Sequence, residues 1–225
     1  MKPYFQDDAV KISDYTVRQI PSSQTHEWLL KKHYAHRIPP ISYAFGLYNA
    51  DNILQGVCTF GYPCRMMMER YSPMPILELN RLVLNNNIPN AATYFISRIF
   101  RIFPLKPCLI VSYADDSQGH HGYIYQALNG IYTGLSSSEK KVYLNGKLVH
   151  RRSLNALYGT SSVEELSKKY QLETEEQNGK HRYMWVLKNK RDKAIDLCYD
   201  SLPYPKGDNK KYDASYQPSV QGVFI

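Results

Sequence analysis

A short, nearly continuous apolar run, Cys108 to Ala114 (CLIVSYA), constrains the fold of this chain more than any other segment. A run of that length and composition is typical of a strand buried on both faces of a sheet. Two aspartates, Asp115 and Asp116, follow it directly. In open sheets with crossover helices, ligands gather beyond the carboxyl ends of the strands. The run therefore predicts a central strand with a polar site at its end.

A second apolar segment, Leu77 to Leu84 (LELNRLVL), has a fault in its alternation. The two leucines before Asn80 share one face of a strand, whereas the two that follow Arg81 fall on the opposite parity. A period-2 pattern that slips by one residue predicts a β-bulge near Asn80 and Arg81. The alternative is a strand buried on both faces, where parity carries no information.

The remaining elements follow from helical spacing, capping residues and turn signals. We expect a helix over His26–Arg37, then a hairpin of Ile41–Tyr48 with Ile53–Phe60, and then a helix capped by Asn90 whose inward face carries Phe95, Ile96, Ile99, Phe100 and Phe103. A further helix should begin at about Gln118, with Ile124, Ala127, Leu128 and Ile131 inward. In the last third of the chain we expect a hairpin that turns at Asn145-Gly146, a helix that begins at the capping box Ser162–Glu165 and runs through Tyr170, and a strand over Arg182–Leu187. This order predicts a mixed α/β domain around one central sheet flanked by helices.

The composition of the chain indicates the cellular compartment and the kind of binding partner to expect. No apolar run approaches the roughly 20 residues of a membrane span, and Met1 to Asp8 has no apolar stretch of a secretory signal. The four cysteines show no close paired spacing, which predicts reduced thiols in a cytoplasmic protein. The net charge of +8 favours a polyanionic partner such as nucleic acid, and a merely basic surface is the alternative.

Polar residues concentrate at three places where an apolar fold does not need them: His33 to Arg37, Glu78 to Arg81, and Ser112 to Tyr125. An arginine inside an apolar strand must find water, a carboxylate or a phosphate. Arg81 is therefore either a partner of a buried acid or a clamp on a phosphate or substrate. Asp115 suits two roles as well, a general base at a strand end or the N-cap of a helix.

Histidines near the same aspartates raise the question of a metal. His33, His36, His120 and His121 with the two aspartates offer ligands, but their spacing matches no standard zinc pattern. A set of histidine, tyrosine and aspartate donors suits iron better than structural zinc.

The segment LELNRLVLNNNIPNAATYFISRIF resembles the core of the GNAT acyltransferase fold. In that fold a bulged strand leads through a loop into a helix that receives the pyrophosphate of acetyl-CoA. The usual Q/RxxGxG/A loop is absent here, and Asn85 to Thr93 stands in its place, although backbone amides at a helix N-terminus still bind phosphate. The resemblance implies acetyl-CoA or a related acyl donor held by Leu82, Val83, Asn90, Ala92 and Thr93.

A more specific resemblance is to the Mom family of phage DNA-modification proteins. The run SYADDSQGHHGYIYQALNGIYTG is similar to that family's SYAD-xx-QGH-x-G-x-IYQA-x-x-x-YTG signature. The segments GKLVHRRSLNALYGTSSVEEL and GKHRYMWVL resemble its C-terminal half, and ELNRL and the early HY pair also fit. Together these motifs cover His26 to Leu187. We therefore expect a Mom-type catalytic domain over residues 1–187 and a polar, basic C-terminal extension over residues 188–225.

This resemblance implies an enzyme that converts adenine in double-stranded DNA to its N6-carbamoylmethyl form and shields phage DNA from restriction, in the cytoplasm of the bacterial host. The implied catalytic residues are His33, Tyr34, Arg81, Asp115, His120 and Tyr125. The implied ligands for Fe(II) are His33, Tyr34 and Asp115.

The chemistry of adenine sets what such a site must supply. The exocyclic amine is a poor nucleophile, so a carboxylate that accepts its proton and a group that stabilises charge on the donor are both needed. The base must also leave the stack, which predicts an aromatic-lined pocket. Simple acetyl transfer gives N-acetyladenine, so the carbamoylmethyl group needs a further source of nitrogen.

Two other functions compete with DNA modification. One is an ordinary N-acetyltransferase acting on a small amine or a protein, and the other is a non-catalytic DNA-binding protein on the same fold. The basic charge and the missing acetyl-CoA loop consensus count against the first. Asp115, Arg81 and Tyr125 around one strand end count against the second.

Overall fold

Two sheets make up the β-structure of the described residues. The computed structural model describes residues 11–63, 74–85, 88–116, 119–149, 151–160, 162–192 and 197–207. Its strands are β1 (Thr16–Gln19), β2 (Tyr43–Tyr48), β3 (Leu54–Gly61), β4 (Ile76–Leu84), β5 (Cys108–Ala114), β6 (Ile131–Leu135), β7 (Glu139–Leu144), β8 (Lys147–Val149), β9 (Leu172–Gln177) and β10 (His181–Leu187). The main sheet has the order β1-β2-β3-β4-β5-β10-β6, and the small antiparallel sheet has the order β8-β7-β9.

Four α-helices accompany these strands in the described ranges: α1 (Ala91–Ile102), α2 (Tyr123–Ala127), α3 (Arg151–Tyr158) and α4 (Val163–Ser167). Two 3-10 turns, Ile12–Asp14 and Ser22–Thr25, and one π-helical turn, Trp28–Lys32, precede β2. The predicted mixed α/β class around a central sheet is confirmed.

The central strand β5 is confirmed as the middle of the core. Every residue of β5 except Tyr113 is buried, and the strand pairs in parallel with β4 and antiparallel with β10. The predicted apolar stripe of α1 packs onto this sheet, with Phe95, Ile96 and Ile99 fully buried. This burial fixes α1, which follows β4 in the chain, against β5.

The bulge in β4 is also confirmed. Phe60 of β3 faces Leu79 and its neighbour Thr59 faces Arg81, so Asn80 is the extra residue. The side chain of Asn80 holds this irregularity, because its Oδ1 accepts a hydrogen bond from Thr59 Oγ1 at 2.6 Å and its Nδ2 donates to the Pro40 carbonyl at 3.0 Å. The slipped alternation therefore reflects a real extra residue in the ladder.

The parallel pairing of β4 with β5 stops just before the bulge. The register runs from Ile76 opposite Leu109 to Glu78 opposite Val111, and both strands continue past that point. There Ser112 Oγ donates to the Leu79 carbonyl at 2.9 Å, so a side chain bridges the two strands where the pairs end. Beyond Ser112 the strands separate, and we call this gap the strand opening.

The predicted length of the helix over His26–Arg37 was wrong, because the helical residues end before His33. Regular helix gives way to the π-helical turn, and His33 is already extended. Two local bonds explain the stop: the backbone N–H of Ala35 donates to His33 Nδ1 at 3.0 Å, and the His36 ring bonds the Leu30 carbonyl at 2.9 Å. Side chains that bond nearby backbone compete with the helical ladder.

Two other helices also differ from their predicted form. The helix expected from about Gln118 spans only Tyr123–Ala127, because Asn129 takes a left-handed conformation and Gly130 follows; Ile131 begins β6, and Gln118 itself lies outside the described residues. Asn90 occupies the N-cap position of α1 in a left-handed conformation, but its side chain makes no capping bond.

The hairpins and the capping box match more closely. The β2–β3 hairpin and the Asn145-Gly146 hairpin of β7 and β8 are confirmed. Ser162 Oγ accepts from the Glu165 backbone N–H as predicted, although α4 ends at Ser167 rather than continuing through Tyr170.

Part of the predicted C-terminal extension lies against the main sheet. The Leu202 backbone N–H donates to the Tyr132 carbonyl at 2.8 Å, and Gln126 Nε2 donates to the Pro205 carbonyl at 3.2 Å. The guanidinium of Arg182 stacks over the Tyr199 ring at 3.9 Å. Residues 197–207 therefore complete the surface beside α2 and β10.

The Ser112 bridge gives a stability prediction. Ser112→Ala leaves the Leu79 carbonyl without its hydroxyl partner in a buried position, which costs about 1–3 kcal/mol of unfolding free energy. Ser97→Ala is the matched control, because Ser97 Oγ bonds a carbonyl of its own helix and its loss stays within about 0.5 kcal/mol. Urea denaturation measures both. Equal midpoints for Ser112→Ala and wild type would contradict the bridge.

Candidate active site

The strand opening gathers side chains from four separate segments. The His33 and Tyr34 rings stack with centroids 4.4 Å apart, and the Tyr34 ring meets the His120 ring edge-on at 6.3 Å. The charge of Asp115 raises the pKa of Tyr34 in addition to the larger effect of burial, so these two groups are close. We call the six predicted residues that meet here the opening cluster: His33, Tyr34, Arg81, Asp115, His120 and Tyr125.

Arg81 projects from the bulge with an incomplete set of partners. Its Nη1 donates to the Asn80 carbonyl at 2.6 Å, but its buried Nε–H has no hydrogen-bond partner among the described residues. Within those residues no salt bridge to the guanidinium is formed. Burial lowers the pKa of Arg81, although the charge of Glu78 lies near enough to act in the opposite direction. A buried guanidinium N–H without an acceptor marks a place where an oxygen of a ligand is favoured.

Tyr125 reaches the same opening from α2. Burial raises the pKa of Tyr125 to about 12, and the neighbouring Ser112 side chain offsets this only in part. The phenol therefore keeps its proton at neutral pH. Tyr125 is placed to donate a hydrogen bond or a proton and is not a base.

Asp115 is the first residue after β5, and its carboxylate is mostly buried. Lys180 Nζ lies 3.9 Å from Asp115 Oδ2. The helix that follows begins only at Tyr123 with Gly122 in the N-cap position, so Asp115 does not cap it. The cap role for α2 is excluded by this geometry, and the acid–base role remains a prediction.

His33 is buried and neutral. Burial lowers the pKa of His33 to about 3, and the positive charge of Arg81 acts in the same direction. Because Nδ1 accepts a hydrogen bond from the Ala35 backbone N–H, the proton of the neutral ring is on Nε2. His33 therefore presents an N–H donor to its surroundings.

These protonation states do not fit the predicted Fe(II) ligands. The available lone pair of neutral His33 is on Nδ1, where it accepts the Ala35 N–H, and Nε2 carries the proton, so neither nitrogen offers a lone pair to a metal. Burial raises the pKa of Tyr34, so without a metal the phenol is a neutral donor. The prediction of iron at His33, Tyr34 and Asp115 is therefore not supported.

The broader set of candidate ligands is divided between two places. His120 faces Tyr34, whereas His121 and Asp116 face His181 at the start of β10. His36 points elsewhere, with its ring on the Leu30 carbonyl. Sequence reasoning missed His181, because a single histidine at the first position of a strand has no spacing signal.

The predicted cofactor residues lie on two successive elements, the end of β4 and the start of α1. Leu82 and Val83 follow the bulge on β4, where β5 no longer pairs. Asn90 precedes α1, and Ala92 and Thr93 are in its first turn, which contains no acidic side chain. A strand edge without its parallel neighbour and the positive end of a 12-residue helix fit the two ends of an acyl-CoA, the acyl group and the pyrophosphate.

Comparison with known proteins decides the family. A model of the Mom protein family matches residues 14–206. The chain belongs to the Mom protein family. A curated relative, methylcarbamoylase Mom of Escherichia phage Mu, is 26% identical and covers 91% of each chain. The Mom match extends past Leu187 and includes most of the segment 197–207 that packs on the sheet.

Solved structures similar to this Mom-family chain carry acetyltransferase names. A putative acetyltransferase from Acinetobacter baylyi is 10% identical, covers 81% of this chain and 97% of its own, and has a TM-score of 0.45. A putative acetyltransferase from Salmonella typhimurium with its cofactor acetyl-CoA is 9% identical, covers 80% and 98%, and has a TM-score of 0.43.

Within the described ranges of this Mom-family chain, none of the helices is long and apolar enough to cross a membrane.

The depressed pKa of His33 gives a pH prediction. An unfolded histidine takes up a proton near pH 6.5, whereas folded His33 does so only near pH 3, so the unfolded state binds more protons between these values. Stability is full above about pH 6.5 and falls as the pH drops towards 3, by roughly 2 kcal/mol between pH 7 and 5 from this residue.

His33→Asn isolates this effect, because its Oδ1 still accepts the Ala35 N–H but does not titrate. Urea unfolding of both proteins at pH 7 and pH 5 should show a smaller acid loss for the variant. An identical loss in both would mean that His33 is not the titrating group.

Proposed function

We propose that this chain is an enzyme that modifies adenine in double-stranded DNA, converting it to the N6-carbamoylmethyl form and so protecting phage DNA from restriction. The family supports the class of function, and a relative from a phage is named a methylcarbamoylase. The observation that carries the proposal is the unpartnered Nε–H of Arg81, which lies close to protonated Tyr125 at the strand opening.

Asp115 acts as the base in this proposal. Adenine N6 must lose a proton when it forms a new bond, and a carboxylate at the strand end accepts it. Lys180, 3.9 Å from Asp115 Oδ2, balances the negative charge of that carboxylate before the reaction.

Arg81 and Tyr125 act on the opposite side of the reacting centre. The Arg81 guanidinium offers N–H donors to an oxygen that gains negative charge, in a buried place where such bonds are strong. Tyr125 holds its proton until a leaving group develops negative charge and then donates it.

Tyr34 provides the surface that a displaced base needs. Its side chain is 50% exposed, although one ring face stacks on His33. The His120 ring stands edge-on to it. A base that has left the duplex is held by aromatic stacking and by donors to its edge, and His33 Nε2–H with these rings meets that description.

The chain would hold an acyl-CoA at Leu82, Val83, Asn90, Ala92 and Thr93. Acetyl-CoA when bound would supply a carbonyl carbon activated for attack, with CoA thiol as the leaving group. In the carbamoylmethyl product N6 is bonded to a CH2 carbon, so the donor must carry a leaving group on that carbon, and the amide nitrogen comes from another source. The residues of the opening cluster are assigned only to binding and proton transfer.

Asp115→Asn tests the proposal as a whole. The substitution keeps the volume and hydrogen-bonding oxygen but removes the charge, so modified deoxyadenosine should fall 100-fold or more, on the order of a lost general base. Nucleoside mass spectrometry of DNA from cells that express equal soluble amounts measures the yield. Asp51→Asn, in the exposed β2–β3 turn, is the matched control and should keep the wild-type yield.

The other functions give different results in the same experiment. Unchanged DNA with acetylated small amines or proteins would show an N-acetyltransferase. Unchanged DNA that the purified protein still binds would show a non-catalytic DNA-binding protein. Wild-type modification by Asp115→Asn would remove Asp115 from the chemistry.

The basic charge gives a prediction for DNA binding. Arg37 lies near Arg81, and Lys206 adjoins Gly207, whose backbone lies against the His121 ring. Both side chains are exposed at the end of the sheet where Asp115 lies. If they contact phosphates, Arg37→Gln with Lys206→Gln should lower the slope of log affinity against log salt by about 2.

Lys188→Gln with Lys190→Gln is the matched control. These exposed lysines follow Leu187, which pairs with Cys108 at the opposite end of β5, so the salt slope should not change. Fluorescence anisotropy with a DNA duplex measures both double variants. Equal slopes in all three proteins would place the DNA elsewhere.

A further inference from the structure

Three side chains from three segments converge beside the opening cluster but outside it. Asp116 follows β5, His121 precedes α2, and His181 is the first residue of β10. Asp116 Oδ1 lies 3.6 Å from His121 Nδ1 and 3.4 Å from His181 Nε2, and the two ring nitrogens are 3.4 Å apart. The three atoms form a nearly equilateral triangle.

The size of this triangle is closer to that of a metal site than to that of a tightly hydrogen-bonded cluster. Its three edges are longer than the roughly 2.7–3.2 Å of most hydrogen bonds, although the His121–His181 contact at 3.4 Å still has hydrogen-bond geometry. Ligand atoms held tetrahedrally about 2.0–2.2 Å from a zinc ion are about 3.3–3.6 Å from one another. The three edges fall in that range, whereas octahedral ligands of the same bond length are only about 3 Å apart.

Neighbouring groups turn two of these side chains toward the centre of the triangle. The Tyr132 hydroxyl bonds His181 Nδ1 at 2.9 Å, which leaves Nε2 as the inward nitrogen. Asn178 Nδ2 donates to Asp116 Oδ2 at 3.1 Å, which leaves Oδ1 inward. Partners of this kind orient metal-binding histidines and carboxylates in known sites.

A glycine lets the chain pass close to the third ligand. A Cβ on Gly207 would lie 2.4 Å from His121 Nε2, so a larger residue there would displace the ring. The docked C-terminal segment therefore helps to fix His121 with its Nδ1 toward Asp116.

We propose that Asp116, His121 and His181 bind one divalent transition-metal ion in tetrahedral geometry, with Zn²⁺ the best match, and supply three of its four ligands. The ion ties the end of β5 to the segment before α2 and to the start of β10. It is separate from the set of His33, Tyr34 and Asp115, and it does not depend on the DNA-modifying activity. Since Asp115 and His120 are the sequence neighbours of two ligands, the ion would fix two members of the opening cluster.

The test uses the full-length protein, stripped of metal with a chelator and titrated with Zn²⁺ alone. Calorimetry and elemental analysis should give one equivalent of zinc, and the melting temperature should rise by about 5 °C at saturating metal. Replacement by Co²⁺ should give the intense visible absorption of a tetrahedral site. Failure to bind either ion, with an unchanged melting temperature, would mean a hydrogen-bonded cluster only and would overturn the proposal.

Variants locate the ion. Asp116→Asn and His121→Gln should each lose zinc binding and the thermal shift while their circular dichroism stays that of the apo wild type. His33→Asn, in the opening cluster, and His26→Gln, directly after the 3-10 turn Ser22–Thr25, are matched histidine controls and should bind as wild type does. If His33→Asn loses the ion and both Asp116→Asn and His121→Gln keep it, the proposed site is wrong.

Discussion

The structure depends on the point where β4 and β5 stop pairing. Two parallel strands in the centre of a sheet ordinarily satisfy each other's backbone along their whole length, and here they do so only as far as Glu78 and Val111. The extra residue Asn80 changes the course of β4 and is itself held by Thr59 and Pro40. The bulge thereby opens the middle of the core and directs Arg81 into the gap.

Burial sets the protonation state of several side chains at the strand opening, because it raises the pKa of a phenol and lowers that of an imidazole. Burial keeps Tyr125 protonated and His33 neutral, so both present N–H or O–H donors at neutral pH. Arg81 retains an unpartnered donor among the described residues, and Asp115 offers a carboxylate, with Lys180 beside it. A second carboxylate, Glu78, lies near enough for its charge to act on Arg81 and Tyr125. Carboxylates opposite several donors suit a reaction that removes a proton from an amine and stabilises charge on its partner.

The sequence predicted the parts of the site that lie on strongly patterned segments. The apolar run before Asp115 and the phase slip at Asn80 each have a single physical cause, and both features were confirmed. The helix end before His33 was not predictable, because it depends on side-chain bonds to nearby backbone. His181 was missed since only the antiparallel register of β10, with His181 opposite Ala114, brings it to the end of β5. The edge strands β1 and β9 were not predicted either, because their polar sequences lack the apolar alternation that marks a strand.

The most direct test of the account is amide hydrogen exchange of the full-length protein with and without saturating acetyl-CoA. Every second residue of β4 beyond the bulge turns its backbone N–H and C=O toward the strand opening. We predict that acetyl-CoA slows exchange in the segment containing Leu82 and Val83 and in the first turn of α1, at Ala92 and Thr93, and leaves the β7–β8–β9 sheet unchanged. Protection confined to other segments, or none at all, would contradict the assignment of the strand opening as the active site.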